Sequence, residues 1–210
     1  MYNIKYRTIF KVLKNNKIYI MTNVTKWMSW EGGIDLVAVT SPDLPAGGGA
    51  QMPNLIVHLG RMVNTPVGNA ASGMILWQPD PAGMPAVMGF VSTNEEVGKY
   101  FGPNIFAGTP FEQAPVLHAT INIEITADKA ISKCVVGDYT FEVEMSDFTD
   151  PYLINREPAA MPPFHQQGVE IHAQKVTLKI NGEVINIIVP PVGITGGPAC
   201  VVSPNGVYAR

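Results

Sequence analysis

"QKVTLKINGEVINIIV" (residues 174–189) holds two short runs of alternating apolar and polar residues on either side of Asn181-Gly182. Alternation with period two is the signature of a strand with one buried face. Asn-Gly readily adopts the positive φ values of a type I′ turn. The stretch therefore predicts a hairpin, with strands Val176–Ile180 and Glu183–Val189.

The same pattern recurs along the chain. In "HATINIEIT" (118–126), Ile121, Ile123 and Ile125 alternate with Thr120, Asn122 and Glu124. "ISKCVVGDYTFEVEM" (131–145) reads as a second hairpin with a glycine-first turn at Gly137-Asp138, leaving Tyr139, Phe141, Val143 and Met145 on one face. "IDLVAVT" (34–40), "NLIVHLG" (54–60), "SGMILWQ" (72–78) and "AVMGFV" (86–91) are further strand candidates. Between them lie the loop containing Gly47-Gly48-Gly49 and the turn "PDPAGMP". Pro204-Asn205-Gly206 repeats the turn chemistry near the C-terminus. One helix is expected near 93–101, with Ser92 or Thr93 capping, Glu95 or Glu96 closing the capping box, and Gly102-Pro103 ending it. The fold class is mostly β: a closed or partly closed antiparallel β-barrel, with a β-sandwich as the alternative, and one short helix.

Composition narrows the functions. Only 15% of the 210 residues are charged and 46% are hydrophobic. So apolar a chain must bury much of its surface in a core, an oligomer interface or a ligand cavity. Residues 1–20 hold five basic residues and no acid, while 21–210 carry nine basic groups against 17 acidic ones. The body is thus a poor partner for nucleic acid, whose phosphates need a basic face. Residues 1–20 are expected to be a basic flexible N-terminal extension, with Met21 a plausible start, and 21–210 one β-barrel-like domain. No apolar run reads as a secretory signal or a membrane span. Cys134 and Cys200 match no metal or redox spacing and read as reduced structural thiols in a cytoplasmic protein.

Chemical motifs are sparse. His58, His118 and His172 each sit in an expected strand, yet lack the close spacing of metal ligands and read as unrelated. Glu142 and Glu144 share a strand face and read as solvated outer charges. There is no nucleophile elbow, and the glycine run lacks the Lys-Ser/Thr of a phosphate cradle. No cofactor is expected.

The stretch "VSTNEEVGKYFGPNIFAGTPFEQAP" (91–115), set between a strand and a hairpin, resembles the central segment of the acetoacetate decarboxylase-like family. The resemblance covers about residues 86–145. It implies a cone-shaped β-barrel with an apolar pocket, and places Gly108-Thr109-Pro110 at that pocket. In the family a Schiff-base lysine follows this proline; here Phe111 stands there, followed by Glu112. A phenylalanine offers no amine, so imine chemistry is not expected at this loop.

The expected function is binding of a small, mainly apolar organic molecule, with acid–base chemistry of the lyase, isomerase or cyclase kind open to it. Glu112 and His118 are the candidates for proton exchange, and Arg61, Phe106 and Phe111 for ligand contact, with Arg61 suited to a carboxylate. A homo-oligomer is expected, and neither nucleic acid nor membrane as a partner. The alternative is a non-catalytic β module whose apolar surface serves homo-oligomer or partner contacts.

Overall fold

The computed structural model describes residues 11–14, 17–20, 26–41, 46–47, 50–80, 82–158, 164–193 and 197–209. The remainder of the expected extension, Met21, and Gly48-Gly49 of the glycine run lie outside the described residues. Two small hairpins stand apart from the main sheet: β1 (Lys11–Lys14) with β2 (Lys17–Ile20), and β4 (Ala46–Gly47) with β5 (Ala50–Gln51). The others are β3 (Trp27–Ala38), β6 (Leu55–Thr65), β7 (Gly68–Trp77), β8 (Val87–Ser92), β9 (Val116–Ile125), β10 (Lys129–Val136), β11 (Tyr139–Phe148), β12 (Tyr152–Arg156), β13 (His165–Ile180), β14 (Glu183–Ile185) and β15 (Cys200–Ala209).

They form a ring. The sheet runs β11-β10-β9-β8-β7-β6-β3-β15-β13, and β11 pairs back onto β13. Every pairing is antiparallel except β8–β9, which are parallel and joined through helix α1 (Glu95–Ile105). The 16-residue β13 makes closure possible. Its first half pairs with β15 and β12, its second half with β11 and β14. The result is the expected mostly β, partly closed barrel with one short helix.

The interior is filled by one face of each strand. Leu55, Val57 and Leu59 of β6, Ile121 and Ile123 of β9, and Phe141, Val143 and Met145 of β11 belong to one buried cluster. Their outer-facing neighbours include exposed Glu144, and Glu142, which pairs across the sheet with Lys133 at 3.0 Å. A second cluster lies on the outer side of β6–β8, where Ile56, Met74, Leu76 and Phe90 meet Phe101, Ile105 and Phe106. Strands covered on both faces read as continuous apolar runs, as "MILW" does. Cys134 and Cys200 are buried, and burial pushes both thiols up to about 12, with the charge of Asp35 adding to the effect at Cys200. No described helix is long and apolar enough to cross a membrane.

Three local expectations need correction. The helix is capped by Asn94, whose side chain accepts the Glu96 and Val97 N–H groups at 3.0 and 3.2 Å. It runs through Pro103 to Ile105, because Val97, Phe101 and Ile105 recur at helical spacing and are all buried. Burial of that face outweighs the local cost of a proline. Pro204-Asn205-Gly206 is no reversal: β15 runs straight through it. The register slips by one between Val169 and Ile171 on the facing strand, so these residues lie at a bulge. Lastly, β14 stops at Ile185, and Ile188 instead bridges Val39.

The 181–182 hairpin is as expected. Asn181 and Gly182 take φ of +52° and +85°, and Ile180 faces Glu183. Asn181 also ties the turn to β11, its Oδ1 accepting the Thr140 N–H at 2.7 Å. A β-carbon added at Gly182 would meet nothing within 4 Å. Gly182→Val therefore isolates the backbone cost of a left-handed φ, about 1–3 kcal/mol. Urea titration checks this; wild-type stability would mean that this φ imposes no strain.

Candidate functional site

A cleft with about 40 Å³ of internal space, or about 530 Å³ when the solvent at its mouth is counted, lies between β3, β6, β13 and β15 beside α1. Gly32 has φ +67°, and Gly206 lets the Trp30 indole lie directly on the β15 backbone. The indole is fixed further, because Trp30 Nε1 donates to Ser203 Oγ at 3.0 Å and that hydroxyl donates to the Val169 carbonyl at 2.9 Å. Its ring centre lies 4.7 Å from that of Tyr208. Together with Met28, Val63 and Phe101, these rings make the cleft walls mostly apolar.

Polar groups enter at two places. Asp35 and His58 are direct cross-strand partners on β3 and β6, with Nδ1 and Oδ1 3.5 Å apart. Both are largely buried, at 14% and 20% exposure. No hydrogen bond reaches the Asp35 Oδ1 atom. The His58 ring is held between Phe101 and Phe106, each 6.1 Å away centre to centre. At 3.5 Å the two groups stand further apart than an ordinary hydrogen bond.

The second polar entry is closed upon itself. Glu170, 4% exposed, receives both arms of the Arg156 guanidinium at 2.8 and 2.7 Å. Tyr152 OH donates to it at 3.0 Å, and Arg156 also donates to Gln166 Oε1 at 2.9 Å. Burial works against the charge on Arg156, but the Glu170 hydrogen bond and charge outweigh it and hold the guanidinium above its ordinary value. Burial and the Glu170 charge push Tyr152 up to about 12. Tyr208 is raised by burial first and then by Asp35 and Glu170, so its phenol keeps its proton at neutral pH.

Of the residues expected from sequence to form the site, Phe106 packs against His58 and none lines the cleft itself. Phe106 is 2% exposed inside the cluster beneath α1, and half-buried Phe111 meets it edge to face at 6.3 Å. Glu112 Oε2 accepts the Gly108 N–H at 2.8 Å, which closes the loop on itself. His118 is exposed on β9 opposite Ser92. Arg61 is exposed on β6 and itself lines a more open groove of about 280 Å³ with Asn122, Glu124 and Lys133. The structure thus brings Phe106 and Phe111 together, and no hydrogen bond or ion pair among the described residues joins Glu112, His118 and Arg61. His172 sits half-buried on β13, and no group of three potential metal ligands occurs among the described residues. Asp35 and Arg156 escaped the sequence reading, and Glu170 is marked there only by its alternate spacing with His172. The available signal was a lone charge in an apolar strand, Asp35 in "IDLVAVT" and His58 in "NLIVHLG".

No family model matches the chain, and no curated relative matches it either. Among solved structures, the crystal structure of acetoacetate decarboxylase from Legionella pneumophila subsp. pneumophila str. Philadelphia 1 is similar to 89% of this chain and 86% of that chain, at 11% identity and a TM-score of 0.36. It is a weak and distant resemblance, to the family that residues 86–145 resemble by sequence.

Proposed function

We propose that the protein binds a small, mainly apolar organic molecule in this cleft and exchanges a proton with it through Asp35 and His58. The observation that carries the reading is the Asp35–His58 pair itself, set in an apolar wall and held 3.5 Å apart. A carboxylate and an imidazole that the fold leaves short of partners are free to engage a ligand. Catalytic contacts are commonly long without substrate and tighten when it binds. Among the described residues no lysine lines the cleft, which favours acid–base chemistry over an imine.

The neutral dye N-phenyl-1-naphthylamine tests the site without knowledge of the natural ligand. It should bind with enhanced emission, and Val63→Trp, which fills the cleft, should weaken binding about ten-fold, equivalent to roughly 1.4 kcal/mol. Phe111→Ala should leave binding unchanged. The opposite pattern would move the site to the 106–115 loop and overturn the reading. Incubation with acetoacetate and borohydride should leave the intact mass unaltered; a reduced adduct on Lys99 or Lys129 would restore imine chemistry.

A further inference from the structure

The chemical class of the ligand follows from which charges the cleft leaves unanswered, and this step rests on the binding reading above. Four titratable side chains line the cleft: Asp35, His58, Glu170 and Tyr208. Two are carboxylic acids, one is a phenol held in its neutral form, and one is an imidazole. No arginine or lysine lines it among the described residues. Arg156, the partner of Glu170, spends its donors on Glu170 and Gln166 and so neutralises Glu170. Asp35 has no such answer. Its Oδ1 is buried with no hydrogen bond, and His58 stands at 3.5 Å. A buried carboxylate short of donors calls for one from outside the chain.

The walls point the same way. Trp30, Tyr208 and Phe101 line the same cleft as Asp35. Aromatic faces attract cations and do nothing for an anion. An organic carboxylate entering here would meet Asp35 with no arginine or lysine among the described lining residues to offset the repulsion.

We propose that the ligand is a small organic ammonium ion, its charged end on Asp35 and its apolar body against Trp30, Phe101 and Tyr208. A protonated primary amine supplies the hydrogen-bond donors that Asp35 lacks. Binding and proton exchange then concern the same group, since the ammonium carries the proton that the pair can take.

Three probes of equal shape test this by calorimetry at neutral pH: cyclohexylmethylammonium, cyclohexylmethanol and cyclohexanecarboxylate. The ammonium is expected to bind about ten-fold more tightly than the alcohol, and the carboxylate more weakly than either. Asp35→Asn should bring the ammonium down to the level of the alcohol while alcohol binding is kept. Trp30→Leu should weaken the ammonium more than the alcohol, and gives a second route should the Asp35 variant fold poorly. A carboxylate that binds as well as the ammonium, or an ammonium preference that survives Asp35→Asn, overturns the assignment while the cleft stands. Failure of all three probes to bind overturns the cleft reading together with it.

Discussion

Replacing Arg156 with methionine is expected to lower folding stability by about 3 kcal/mol, the low end of the range for breaking a buried ion pair. The low end applies because the arginine side chain is 25% exposed while the side chain of its partner Glu170 is 6% exposed. What is lost is less the attraction than the compensation. Glu170 would keep only the Tyr152 hydroxyl at 3.0 Å as a donor for a buried carboxylate. Arg156→Lys should recover little, because an ammonium cannot span both oxygens as the guanidinium does at 2.8 and 2.7 Å. Arg156→Met combined with Glu170→Leu should recover most of the loss, since no charge is then left unpaired. Urea titration of the variants decides it. A loss under about 1 kcal/mol for Arg156→Met would place the pair among ordinary surface bridges.

Strands and tight turns were legible because their causes are local. The alternation of Ile121, Ile123 and Ile125, and the left-handed φ values at Asn181-Gly182, depend on a few neighbouring residues. Ring closure was only partly legible. It depends on β13 being long enough to pair with β11 at one end and β15 at the other, and this is a property of the assembled sheet. The misread boundaries share one physical reason. Pro103 and the Pro204-Asn205-Gly206 segment obey tertiary burial and pairing where local propensity would have ended the element.

The site was less legible still. Asp35 and His58 are 23 positions apart in sequence and meet only through the β3–β6 register, which alternation alone does not fix. Arg156 and Glu170 likewise meet only once β12 has paired with β13. The loop that drew attention by composition packs against the helix. Phe106 and Phe111 pack beneath and beside α1, and Glu112 fastens the loop to Gly108. Large aromatic side chains mark burial from sequence, but not which of two cores receives them.

The seat of α1 gives the second large effect, with opposing terms whose sum has a definite sign. Phe90 is fully buried on β8, its ring 5.5 Å from that of Phe106. Gly102 lies so close above it that a β-carbon there would fall within the Phe90 ring. Helix propensity alone says that Gly102→Ala should stabilise by about 1 kcal/mol. Overpacking a filled site costs about 1–3 kcal/mol, and here the obstacle is a rigid ring with no empty side to turn into. Gly102→Ala is therefore expected to destabilise by up to about 2 kcal/mol net, and Phe90→Ala by about 3–5 kcal/mol. Phe90→Leu in the Gly102→Ala background should cost less than in the wild type, because the smaller side chain vacates the contested space. Phe101, next to Gly102, is a wall of the cleft, so lifting the helix should also weaken dye binding there. The four-protein cycle in urea, with the dye titration beside it, reads both consequences. A Gly102→Ala variant more stable than wild type would show that the helix stands further from β8, and that the Phe101 wall of the cleft is not set by this contact.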